Sequence, residues 1–180
     1  MLRISFVGHS NVPENFVVPG ATQVELFRKR GGHILNFFDD STLSKVLDYT
    51  HELCYLFLGS NDIVEGCSTT EIVDAIIHVT RTIEARCRAK VVVLLVENRV
   101  YYGADPPICN ENYKKAQQSI NTQLRRAFKQ TNRCIHLTGV LAKHMSDGVH
   151  FTQTGHSILR DFLLREVDAL VQARQAAGYH

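Results

Sequence analysis

Val91-Val92-Val93-Leu94-Leu95-Val96 is the stretch that most limits how this chain can fold. It is β-branched and shows no polar alternation. A strand with one wet face alternates apolar and polar residues, whereas one covered on both faces does not. Leu53-Cys54-Tyr55-Leu56-Phe57-Leu58 has the same character, and Arg3–Val7 is a shorter run of the kind. Each ends in a polar loop, and helical periodicity fills the gaps between them. Buried strands alternating with amphipathic helices form a parallel sheet with helices on both faces.

The remaining elements follow from spacing. Thr22–Phe27 alternates and reads as a strand, and Leu43–Tyr49 carries Leu43, Val46 and Leu47 at helical spacing. Ser68-Thr69-Thr70-Glu71 has the form of a capping box opening a helix that runs to about Arg86, with Ile72, Ala75, Ile76, Val79 and Ile83 inward. Tyr113–Gln130 predicts a basic amphipathic helix with Ala116, Ile120, Leu124 and Phe128 inward. Cys134–Leu137 predicts a short fifth strand. Thr154 to about Ala176 predicts a terminal helix burying Ile158, Phe162, Leu163, Val167, Leu170 and Val171. With no repeat, low-complexity tract or linker, residues 1–180 read as one α/β domain around a five-stranded parallel sheet.

The five cysteines (Cys54, Cys67, Cys87, Cys109, Cys134) are scattered and contain no C-x-x-C pair. Neither a disulfide framework nor a zinc site is supported, and a reducing compartment is expected, with an intracellular, cytoplasmic location. No apolar run approaches the ~18 residues of a membrane span, and no signal-peptide pattern opens the chain. A net charge of +2 demands no nucleic-acid partner.

In a parallel sheet the ligand crevice lies at the C-terminal ends of the strands. Four polar loops fall there: Gly8-His9-Ser10-Asn11, Arg28-Lys29-Arg30-Gly31-Gly32, Gly59-Ser60-Asn61-Asp62 and Asp147-Gly148-Val149-His150. A serine hydroxyl needs a base to become a nucleophile. His150 is the candidate base, and Asp147 would hold its tautomer and offset the imidazolium charge. The backbone N–H of Ser10, a glycine N–H from the Gly31-Gly32 turn and the side-chain amide of Asn61 are candidate oxyanion donors. Such donors are each worth ~3–4 kcal/mol when removed. Gly31 and Gly32 are both open as the glycine donor.

These blocks, in this order along the whole chain, resemble the SGNH (GDSL-like) hydrolases. The resemblance implies a flavodoxin-like three-layer sandwich. It implies Ser10 as nucleophile, His150 as base, Asp147 as its partner, and Ser10, Gly32 and Asn61 as the oxyanion hole. It also implies lipid or carbohydrate esters, acetyl esters above all, as substrates, and no metal or organic cofactor. Among members, the chain looks most like small intracellular acetylhydrolases, or the esterase domains in the first open reading frame of some LINE-type retrotransposons. One position departs from the pattern: the first block usually reads G-D-S, and His9 stands where the aspartate is expected.

Each of these residues also has a structural reading. Ser10 can be a plain loop serine, Asn61 a turn brace, and Asp62 a structural acid that binds loop amides. Arg28-Lys29-Arg30, Lys114-Lys115 and Arg125-Arg126-Lys129 read most simply as solvated faces. The sharper reading is an anionic partner, either a phospholipid surface or nucleic acid. Tyr101-Tyr102-Gly103 and Pro106-Pro107 read either as the wall of an acyl pocket or as an ordinary turn. The competing functional class is a catalytically silent module of the same fold that binds RNA, lipid or protein. Loss of the serine or the histidine would mark that class, and the chain keeps both.

Overall fold

The computed structural model describes residues 2–12, 23–37, 41–131, 134–135 and 142–177. Its strands are β1 (Arg3–Gly8), β2 (Gln23–Arg28), β3 (Leu53–Phe57), β4 (Lys90–Leu94) and β5 (Cys134–Ile135). Its helices are α1 (Ser41–Asp48), α2 (Ser60–Val64), α3 (Thr69–Cys87), α4 (Asn110–Ala127) and α5 (Gln153–Ala176). The strands form a five-stranded sheet in the order β2-β1-β3-β4-β5, every pairing parallel. That is the flavodoxin-like order.

Period-two geometry sends alternate strand residues to opposite faces. Val7, Cys54, Leu56, Val91 and Val93 pack with α1, α3 and α4, while Ile4, Phe6, Tyr55, Val92 and Leu94 pack with Leu159, Leu163 and Val167 of α5. Each such Val, Leu or Ile, once fully buried, contributes about 1.5–3 kcal/mol through the hydrophobic effect. The capping box of α3 forms as read: Ser68 Oγ accepts from Glu71 N–H at 3.2 Å, and Glu71 Oε2 accepts from Ser68 N–H at 3.0 Å.

Several boundaries differ from the sequence reading, each for a local reason. Arg28 is a strand residue rather than a loop residue, because the ladder continues through Gly8 opposite Arg28. β4 stops at Leu94 rather than Val96, because Asn121 of α4 captures Val96. The Asn121 Oδ1 accepts the Val96 N–H at 2.8 Å and its Nδ2 donates to the Val96 carbonyl at 3.0 Å. α4 begins at Asn110, not Tyr113, and ends at Ala127. The short α2 replaces a stretch read as loop. In α5 the buried stripe centres on Leu159, with Ile158 half-buried beside it. Thr22, His136 and Leu137, and the side chain of Leu170, lie outside the described residues. Among the described residues, no helix is long and apolar enough to cross a membrane.

Candidate active site

After β1 the chain makes a turn in which the Val12 N–H donates to the His9 carbonyl at 3.1 Å, with Ser10 and Asn11 at its centre. The half-buried Ser10 is pinned by its carbonyl, which accepts from Arg28 Nε at 3.2 Å and Nη2 at 2.9 Å. Arg28 is therefore a brace of this turn as well as a surface cation. Among the described residues, Ser10 Oγ makes no hydrogen bond.

Asn11, 1 % exposed, joins this turn to the loop before α5. Its Nδ2 donates to the Val149 carbonyl at 2.9 Å, and its Oδ1 accepts the Phe151 N–H at 3.1 Å. In that loop Asp147 Oδ1 accepts the backbone N–H groups of Val149 at 2.9 Å and His150 at 2.7 Å. Asp147 Oδ2 lies 2.7 Å from His150 Nδ1. An ionised carboxylate only accepts, so Nδ1 carries the hydrogen and Nε2 of the neutral ring keeps its lone pair for a proton. Partial burial raises the Asp147 pKa. The hydrogen bonds from the backbone and ring of His150 and from Val149 outweigh that and hold the carboxyl well below its ordinary range.

Gly148 gives the loop its close seat. It adopts φ 80°, and a Cβ there would lie 1.6 Å from the Val100 carbonyl oxygen, so no other residue fits without moving the loop after β4.

Gly31 sits at φ 66° in the turn after β2, which closes with Gly32 N–H donating to the Lys29 carbonyl at 3.1 Å. The Gly32 N–H is therefore already engaged. The buried Asp62 carboxylate orders the same loop, its oxygens accepting Ile34 N–H at 3.0 Å and Leu35 N–H at 3.2 Å. Asn61, in the first turn of α2, donates from Nδ2 to the Gly32 carbonyl at 2.9 Å. The amide and glycine blocks are thus joined directly, while the Ser10 and His150 blocks are joined through Asn11.

Behind Asn61 lies a buried polar cluster that the sequence reading did not single out. Arg99 Nη1 donates to Asn61 Oδ1 at 2.9 Å, and Nη2 donates to Ser60 Oγ at 2.5 Å. Arg99 Nε and Nη2 also lie 2.9 and 2.8 Å from Glu97 Oε1. His9 Nε2 is 3.4 Å from the same oxygen and 3.2 Å from Ser60 Oγ. The Asn11 N–H donates to His9 Nδ1 at 3.2 Å. Nδ1 is therefore a lone-pair acceptor, and His9 is a neutral ring with its hydrogen on Nε2. Burial raises the Glu97 pKa, but the hydrogen bond from the neutral His9 ring and the Arg99 charge hold the carboxyl well below its ordinary range. Burial alone would lower the Arg99 pKa; the Glu97 charge raises it instead.

Two serine–histidine contacts are buried: Ser60 with His9, and Ser5 Oγ with His51 Nδ1 at 2.9 Å. A nucleophile needs access to substrate. All four residues are at most 2 % exposed, which marks these pairs as interior bracing. Among the described residues, no group of three or more His, Cys, Asp and Glu side chains could hold a metal ion.

The family model for GDSL-like lipase/acylhydrolase matches residues 4–163. The chain belongs to this family. Solved GDSL-like and related esterase folds resemble it throughout. An acetyl esterase mutant with acetate ion is 12% identical, with 96% of this chain and 99% of that one covered and a TM-score of 0.72. The inhibitor-bound M. smegmatis aryl esterase is 16% identical, covers 94% and 100%, and has a TM-score of 0.70. A carbohydrate esterase family 3 protein from Talaromyces cellulolyticus is 13% identical, covers 96% and 99%, and has a TM-score of 0.67. At such identities the likeness is one of fold. No curated protein sequence matches the chain. As a GDSL-like acylhydrolase, the chain belongs to enzymes of ester bonds.

Proposed function

We propose that the chain is a serine esterase that hydrolyses small acyl esters, acetyl esters first among them. The observation that carries this reading is the Asp147–His150 pair at 2.7 Å, tied through Asn11 to the turn that holds Ser10. In this reading Ser10 Oγ attacks the ester carbonyl while its proton passes to His150 Nε2. The oxyanion so formed is stabilised by the Ser10 N–H, the Asn61 amide and a glycine N–H. The tetrahedral intermediate collapses to an acyl-Ser10 ester as His150 returns the proton to the departing alcohol. Water, deprotonated by His150, then releases the acid and restores Ser10.

For Gly32 to serve, its N–H must be shared with the Lys29 carbonyl or released from it. Asn61 spends one of its two N–H bonds on the Gly32 carbonyl and keeps the other for substrate. The small-acyl preference draws support from the likeness to an acetyl esterase mutant with acetate ion.

The test is hydrolysis of p-nitrophenyl esters from acetate to octanoate, with Ser10→Ala alongside. Turnover that declines with acyl length and disappears in the folded variant is expected. Equal turnover by the variant would overturn the assignment.

A further inference from the structure

Asn61 is held at both ends of its amide, and the end facing the interior is held by Arg99. Its Oδ1 is a hydrogen-bond acceptor to a cation, which fixes which way Nδ2 points. The charge also draws electron density from the amide and strengthens its N–H groups as donors. One guanidinium reaches Glu97, Ser60 and Asn61 together, a planar fork that no other side chain supplies. Arg99 and Glu97 side chains are each 3 % exposed. Replacing a buried ion pair with well-packed apolar residues is often neutral or stabilising, so stability alone does not account for the pair. Its position, one hydrogen bond behind a candidate oxyanion donor, names that role.

We propose that Arg99 is a positioning residue that orients the Asn61 amide toward the oxyanion, with Glu97 and the neutral His9 holding Arg99 in place. This rests on the esterase reading. Position 9 follows from it. The cluster already contains one buried carboxylate, in Glu97, and a neutral imidazole beside it adds no second charge.

The decisive variant is E97Q/R99M, which removes both charges together and leaves neither one buried alone. Its thermal midpoint stays near that of the parent and its KM is unchanged, while kcat falls on the order of 100-fold because the amide is misplaced. A folded E97Q/R99M enzyme with the parent's kcat would overturn the proposal. The second variant, Arg99→Lys, keeps a cation beside Glu97 but cannot span to Asn61 as well. A low kcat at unchanged KM supports the proposal, and parental kcat overturns it.

Ser10→Ala separates the two layers of the argument. If the parent hydrolyses no ester, or Ser10→Ala matches it, the esterase reading falls. The Asn61 side-chain ¹⁵N relaxation then decides the positioning claim by itself. An amide rigid in the parent and mobile in E97Q/R99M supports it, and equal rigidity in both overturns it.

Discussion

Asn11 Oδ1 accepts the backbone N–H of Phe151 at 3.1 Å, joining residues 140 positions apart. With the Nδ2 bond to Val149, it clamps the Ser10 turn to the loop that carries Asp147 and His150. Asn11→Ala leaves the Val149 carbonyl and the buried Phe151 N–H without partners, a loss of about 1–3 kcal/mol for each group that stays dry. Ester turnover falls further than stability does, because the serine and histidine lose their common clamp. Urea unfolding and kcat measured on the same preparation separate the two effects. A variant with parental kcat would show that some other contact aligns the loops.

Asp147 sets the His150 tautomer, so Asp147→Asn inverts it. The new amide donates to Nδ1, pushes the ring hydrogen to Nε2 and removes the lone pair that, in the proposed mechanism, would take the serine proton. The two side chains are 55% and 46% exposed, so water competes for the ring. The expected kcat loss is about 100–1000-fold, less than the ~10,000-fold of a buried dyad. A loss under about 10-fold would show that orientation by Asp147 matters little here.

The elements that were legible in the sequence are those with a one-dimensional signal. The apolar runs at Leu53 and Val91 needed only their lack of alternation, and Ser68 with Glu71 announced a helix start through a fixed spacing. The loops with Ser10, Asn61 and His150 followed, because parallel strands put all their C-terminal ends on one edge. What escaped lacked such a signal. α2 is five residues long and begins at a left-handed Gly59, too short for any period to show. Asn121 looked like a polar residue on a helix, and only its three-dimensional register with Val96 makes it the end of β4. Glu97 and Arg99 follow the apolar run that ends at Val96 and carry no motif. The available signal was their spacing of two, which puts both on one side of an extended chain, together with a histidine where the family pattern has an aspartate.

That histidine makes a prediction of its own. Aspartate at position 9 can still accept the Asn11 N–H, as an Asx turn does, but it brings a second carboxylate against Glu97. Two like charges in a buried site cannot both ionise without cost, so His9→Asp lowers the thermal midpoint and kcat. H9D/E97Q returns the site to one carboxylate and recovers most of both. If the double variant is no better than His9→Asp, the loss comes from the missing imidazole packing against Phe57, whose ring centroid lies 4.6 Å from that of His9.

His51 governs a separate stability window. It is 2% exposed, its Nδ1 is bonded to Ser5, and burial pushes its pKa below the ordinary histidine value. The unfolded chain takes up this proton near pH 6.5, whereas the folded protein takes it up only at lower pH. Between those two values the unfolded state binds more protons, so stability is complete above about pH 6.5 and declines as pH falls through it. Asp147 and Glu97, both depressed, act in the opposite sense of charge but the same direction of pH. Their contribution is present above the ordinary carboxylate values near 4 and is lost below them. The two windows are therefore distinct. His51→Gln, which does not titrate in this range, flattens the fall in thermal midpoint between about pH 7 and 5 and leaves the acid limb below about pH 4 unchanged. A variant with the parent's slope between pH 7 and 5 would remove His51 as the titrating group.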